Sequence, residues 1–186
     1  MKLVVSPCNT TGPFFPREFS DGNEDLTRRD GARARGEHII LAGRVLELGA
    51  KPTWNMVLEV WQADTNGIFR HPLDPRFAEV DPGFWGWGRA RTDPDGWYRF
   101  RTVLPGGDQR IPHINCAVLG IGLTRRLVTT IFFTDAPDPV FDCVPGPELR
   151  QRLIARRDPS LNADGAAGYR FDVILRGEGE TPFFVD

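Results

Sequence analysis

The run Trp97-Tyr98-Arg99-Phe100-Arg101-Thr102-Val103 alternates with period two, the pattern of a half-buried β-strand. Successive side chains of a strand point to opposite faces, so Tyr98 and Phe100 share one face and Arg99 and Arg101 the other. Turn signals bracket the run: Asp93-Pro94-Asp95-Gly96 before it and Leu104-Pro105-Gly106-Gly107 after it. Working outward, further strands are expected over His38 to Leu46, Met56 to Gln62, His113 to Leu119, Leu127 to Phe133 and Tyr169 to Leu175. One helix is expected from Gly146 to Ala155, with Pro147 at an opening position and Leu149, Leu153 and Ile154 as its apolar stripe. Many short strands, Gly/Pro turns and a single short helix predict an all-β fold: a β-sandwich of mixed or antiparallel strands over 38–186. Residues 1–37, rich in Pro, Gly, Asp and Arg without sustained period, predict an extended N-terminal arm that lies on something else.

Composition narrows the function classes. With 186 residues, 40% hydrophobic and 26% charged, the chain suits one globular domain. A net charge of -2 argues against nucleic acid as a partner. The arginines Arg28, Arg29, Arg33 and Arg35 alternate with Asp30 and Glu37, which reads as a solvated or locally paired surface. No run reaches the eighteen or so apolar residues of a membrane span, so no membrane partner is expected. Cys8, Cys116 and Cys143 lack CxxC spacing and fit reduced thiols; with an N-terminal apolar run too short for a signal peptide, the expected location is cytoplasmic.

The chemistry-bearing residues are few. Pro112-His113-Ile114-Asn115 looks like a strand-edge metal site in which the second imidazole of a His-x-His pair is replaced by a poor ligand, Asn115. His38 opens a strand and reads as structural. Tyr98 and Tyr169 read as core aromatics with their hydroxyls at the sheet margin. No nucleophile elbow, Walker loop or GxGxxG is visible, and no zinc-ligand spacing exists.

Several longer motifs are similar to those of intradiol ring-cleavage dioxygenases: Gly43-x-Val45, Leu58-Glu59-Val60-Trp61-Gln62-Ala63-Asp64-Thr65-Asn66-Gly67, Gly86-Trp87-Gly88-Arg89, Asp95-Gly96-Trp97-Tyr98-x-Phe100 and the tail from Tyr169 through Gly177-Glu178-Gly179-Glu180-Thr181. Within that family the chain resembles the alpha rather than the beta chains of the two-chain members. The resemblance implies oxygen-dependent cleavage of an aromatic dihydroxybenzoate, with Fe(III) held by two tyrosines and two histidines of a partner beta chain. Position by position, the first tyrosine falls on Phe69, the second in the tyrosine-free segment after Gly106, and the histidines on His113 and Asn115. The implied metal ligands and catalytic residues of this chain are therefore none. The implied substrate-binding residues are Thr10, Gly12 and Pro13, where the arm would line the partner's pocket. Ile121 stands where many alpha chains carry an arginine. The aromatics Phe84, Trp85, Trp87, Phe183 and Phe184 suit burial in an interface or in the core. A transthyretin-like β-sandwich used as a binding module shares the Gly-x-Val and Leu-Pro-Gly pattern and is the alternative; such a module does not need the Trp61-Gln62-Ala63-Asp64 run or the Gly-Glu-Gly-Glu-Thr tail. A single-chain enzyme with a reshuffled metal site, drawing on Tyr98 and Tyr169, is the third reading.

Overall fold

Two sheets face each other across one apolar core. In the computed structural model, residues 16–19 and 21–185 are described. The strands are β1 (Arg28–Arg29), β2 (Ala32–Arg33), β3 (His38–Glu47), β4 (Lys51–Pro52), β5 (Val57–Gln62), β6 (Trp87–Arg91), β7 (Trp97–Val103), β8 (His113–Leu119), β9 (Leu127–Phe132), β10 (Arg156–Arg157), β11 (Ala167–Arg170) and β12 (Val173–Ile174). One sheet runs β6-β5-β8-β9 and is antiparallel throughout. The other is built on β3, which pairs antiparallel with β7 along one edge and parallel with β11 and then β12 along the other. The fold is the expected all-β sandwich with mixed pairing.

The alternation at 97–103 places Tyr98 and Phe100 in the core, against Leu58, Val60, Ile114, Cys116 and Ile131 of the facing sheet. β3 is apolar on both faces because a second small cluster, Ile40, Ala42 and Ala166, covers its outer side. Gln62, fully buried, ties the sheets together: Thr102 Oγ1 donates to its Oε1 at 2.8 Å, and its Nε2 donates to the Val103 carbonyl at 3.0 Å. Burial of so polar a group is tolerable only with such partners.

Three expectations change. The strand read as Tyr169 to Leu175 is two strands, because the β3 ladder breaks opposite Phe171 and Asp172. There the Asp172 carboxylate replaces a backbone acceptor and takes the Arg44 N–H at 2.8 Å. The helix read as Gly146 to Ala155 is only α2 (Pro147–Gln151), preceded by a further one-turn helix, α1 (Pro139–Asp142). It ends early because Leu153 is drawn into the core and Ile154 and Ala155 bridge to Phe132, a tertiary pairing that outcompetes helical periodicity. Tyr98 is 2% exposed in the interior, not at the sheet margin, and its hydroxyl donates to the Phe171 carbonyl. We expect Tyr98→Phe to lower stability by about 1–2 kcal/mol in urea titration, since that carbonyl loses a buried donor.

The second half of the arm lies on this chain's own sheets. Leu26 is fully buried, its N–H bonds the Arg101 carbonyl at 2.9 Å, and its carbonyl accepts from Trp85 N at 3.0 Å. β1 and β2 form a hairpin through Asp30 and Gly31, both at positive φ, a turn that matches strand twist. Arg29 pairs with Asp30 at 3.0 Å and stacks on Trp85, so the arginine cluster is in part a local salt-bridge surface. Among the interface candidates Phe84 is fully buried in the core, whereas Trp85 is 46% exposed. Cys116 is buried and Cys143 exposed, both as free thiols. Burial pushes the Cys116 thiol up to about 12, so it is chemically quiet. Among the described residues no helix is long and apolar enough to cross a membrane.

Candidate functional site

A cleft of about 530 Å³ opens on the outer face of the antiparallel sheet, where β5 and β8 run side by side. Trp61 and Asn115 are register partners, and His113 lies two residues before Asn115 on the same face. The segments 67–76 and 106–110 wall the cleft on either side. Both walls are pinned by Asp64. Its buried carboxylate accepts from Asn66, Ile68 and Asp81 N–H groups, and its carbonyl takes the Gly106 N–H at 2.8 Å. A side chain at Gly106 would meet the Thr65 carbonyl at 2.4 Å, so glycine there permits the approach of the two walls. The Trp-Gln-Ala-Asp motif is thus structural at Gln62 and Asp64 and presents Trp61 to the cleft.

The lining is largely aromatic. Phe69 lies 5.0 Å from Trp61 and 6.3 Å from His113, centroid to centroid, and both pairs are tilted. His71 meets Trp61 edge-on at 6.0 Å and also lines the cleft. Arg76 reaches Asp108 at 2.7 Å and the Gly67 carbonyl at 2.9 Å, bridging the two walls. Arg110 is turned away into a pairing with Asp138, whose carboxylate also accepts from Ile111 N and caps α1 at Val140 N. Asp138 was not singled out by sequence reasoning; the Asp138-Pro139 pair, a capping residue before a proline, was the available signal.

His113 is 8% exposed, and its Nδ1 bonds the Ile111 carbonyl at 2.8 Å. A carbonyl only accepts, so Nδ1 carries the proton and Nε2 the lone pair in the neutral ring. Burial, the largest influence, lowers the His113 pKa, and the bond to Ile111 only partly opposes it. Stability from the neutral ring is full above the ordinary histidine value near 6.5 and is lost as pH falls from there through the lower folded value. We expect thermal melts to show a modest fall as pH drops below about 6.5, absent in His113→Gln.

The sequence-assigned metal positions come together here. Phe69, the loop after Gly106, His113 and Asn115 all line the one cleft. Tyr98 lies in the other sheet with its hydroxyl engaged, and Tyr169 packs edge-on against Phe133 at 5.1 Å. Among the described residues no group of three or more His, Cys, Asp or Glu is placed to hold a metal. His38 is structural, with Nε2 on the Ala34 carbonyl at 2.9 Å. Ile121 is 53% exposed on the turn after β8, away from the cleft lining. Thr10, Gly12 and Pro13 lie outside the described residues.

A family model described as "Dioxygenase" matches residues 10–177, nearly the whole chain. The chain belongs to the intradiol dioxygenase family. It is 39% identical to a protein of Burkholderia cepacia named protocatechuate 3,4-dioxygenase beta chain, over 86% of this chain and 74% of that one. It is 36% identical to a Pseudomonas putida protein named protocatechuate 3,4-dioxygenase alpha chain, over 98% of this chain and 96% of that one. Among solved structures, the dioxygenase domain of a dioxygenase–carbohydrate-binding fusion from Streptomyces sp. SirexAA-E superposes with a TM-score of 0.61 at 24% identity, covering 95% of this chain and 98% of that domain, which speaks for the fold alone. Membership of this family disfavours the transthyretin-like binding module. Identity is higher to the beta-chain relative, while the alpha-chain match spans both sequences almost end to end.

Proposed function

We propose that this chain is the alpha subunit of a protocatechuate 3,4-dioxygenase and that its beta partner, not the chain itself, holds the ferric ion. The observation that carries the reading is the chemistry of the cleft. The residues at the family's metal positions do not fit Fe(III): a phenyl at Phe69, an amide at Asn115, and one imidazole, His113, tied to its own backbone, while the cleft's other imidazole, His71, has its Nδ1 taken by Leu73 N–H. Ferric iron favours hard anionic oxygen, and the phenolic oxygens of Tyr98 and Tyr169 lie elsewhere in the fold. The near end-to-end match to an alpha-chain relative supports the same assignment.

On this reading the complex opens the ring of protocatechuate with O2, between the two hydroxyl-bearing carbons, and the ring-opening chemistry belongs to the cytoplasmic partner's metal. The part of this chain is to hold the shape of the shared pocket. Residues 1–37 act as the arm, with Thr10, Gly12 and Pro13 against the substrate; glycine permits close backbone approach, proline stiffens the wall, and threonine offers a hydroxyl to a polar ring. The sandwich over 38–186 supplies an interface of the size obligate partners bury, roughly 2,000 Å² or more.

The test is metal and spectrum. Purified alone, the chain should carry no stoichiometric iron, show no ferric–phenolate band in the visible and cleave no ring; co-expressed with a beta partner, the complex should do all three. An iron-loaded, active lone chain would refute the proposal. In the active complex, Gly12→Val should raise KM for the aromatic substrate about tenfold with a smaller change in kcat, as removal of uniform binding does.

A further inference from the structure

Gly88 and Arg89, the end of the Gly-Trp-Gly-Arg motif, seat the root of the arm on β6. A Cβ at Gly88 would meet the Asn23 carbonyl oxygen at 2.6 Å, so glycine lets the arm close on the strand. Arg89 N–H donates to that same carbonyl at 3.0 Å. Further up the arm, the Arg89 guanidinium lies 3.5 Å from the centre of the Phe19 ring and 4.6 Å from that of Trp87. Its register partner Glu59 holds it there, accepting from Nε at 2.6 Å. Phe19 is 39% exposed, so it rests on this cation rather than in an apolar pocket. Stacking on rings while pairing with a carboxylate is a geometry that arginine supplies and lysine does not. Arg91, on the same face of β6, donates to the Pro16 carbonyl at 3.1 Å and to the Asn55 side chain.

We infer that Arg89, clasping Phe19, is a positioning residue for the shared substrate pocket: it fixes the root of the arm whose far end shapes that pocket. The inference rests on the pocket-lining role proposed for Thr10, Gly12 and Pro13. Pro13 is three residues from Pro16, a tether of at most about 11 Å. The Pro16 carbonyl also accepts from Phe19 N at 3.2 Å, so the single turn Arg17–Phe19 carries the hold at Phe19 to Pro16. With the clasp open, the nearest fixed point is Asn23, ten residues from Pro13. A longer tether samples more conformations, and substrate binding must then meet the cost of ordering it. That cost falls on binding and not on ring opening at the partner's metal, so it raises KM and spares kcat.

The test is steady-state kinetics on the complex with its beta partner, with protocatechuate as substrate. Phe19→Ala should raise KM about sixfold, the three-halves power of the growth in tether from three residues to ten, with kcat and bound iron at the parent's level. Phe19→Tyr, which restores a ring over Arg89, should keep KM within about twofold of the parent. Arg89→Lys keeps the charge beside Glu59 but not the flat stack, so it should raise KM as Phe19→Ala does. The double variant should go no further than either change alone, because both open one clasp. A parental KM in Phe19→Ala, or equal falls in kcat and kcat/KM, overturns the inference. Gly12→Val in the same assay tells this failure from that of the pocket-lining reading. If Gly12→Val raises KM and Phe19→Ala does not, the clasp alone is lost; if neither does, the pocket-lining arm falls and the clasp with it.

Discussion

Gly43→Ala will leave little or no folded protein. A Cβ at position 43 would lie 1.8 Å from the Phe171 carbonyl oxygen and 2.5 Å from its carbon, both backbone atoms. That carbonyl cannot retreat, because Phe171 N donates to the Ala42 carbonyl at 3.0 Å and the Tyr98 hydroxyl donates to the carbonyl itself. The only relief is to part β3 from the β11–β12 edge, which exposes the Val45 and Val173 core. We expect a loss above about 4 kcal/mol, a large share of a domain's whole stability. Gly49→Ala is the control. Its φ of 76° imposes strain, but nothing lies within 4 Å of the added carbon. It should cost only about 1 kcal/mol. Urea titration of the two variants, with soluble yield as a first reading, checks the contrast; a well-folded Gly43→Ala would show that this crossing is not rigid.

The second large effect belongs to Asp138. Its side chain is wholly buried, and it accepts from Arg110, Ile111 N and Val140 N at 3.0 to 3.3 Å. Asp138→Ala strands all of these donors. Breaking a buried pair costs about 3–5 kcal/mol, and we expect the lower end because Arg110 is 30% exposed and can turn to water. Burial by itself raises the Asp138 pKa, but the hydrogen bonds from Val140 N and Arg110 outweigh it, so the carboxyl is held below the usual range. The stability it confers is therefore full above about pH 4 and is lost as pH falls through the depressed folded value. Thermal melts between pH 7 and 3 should show that acid slope in the parent and a shallower one in Asp138→Asn. Because Ile111 N is held by Asp138 and His113 Nδ1 by the Ile111 carbonyl, either substitution should also loosen the cleft floor. A parent-like acid slope in Asp138→Asn would remove Asp138 from this role.

These two sites show where local reading ends. Period-two alternation located β7 and β8 to the residue, because sheet packing and strand periodicity ask for the same side chains there. The same logic overran at 169–175, where a ladder break is written in the contact between Gly43 and Phe171 rather than in the alternation. β6 carries a family motif but no strand pattern, since Trp87-Gly88-Arg89-Ala90-Arg91 alternates small and charged residues too weakly to read as a strand. At the cleft, the residue types were legible one at a time: Phe69, His113 and Asn115 each stood out against the family pattern. The pairing of Arg110 with Asp138, 28 residues apart, was not.

By itself, the sequence determined that the chain is a β-sandwich and which side chains stand at the family's metal positions, since strand pattern and residue chemistry are local properties. Only the tertiary structure decided that those positions share one aromatic-walled cleft, that His113 turns one nitrogen to its own backbone and leaves the other free, and that Gly43 must be glycine. Each of these depends on surfaces brought together by folding, and contacts between residues as far apart as Arg44 and Asp172 leave no mark on the neighbours of either.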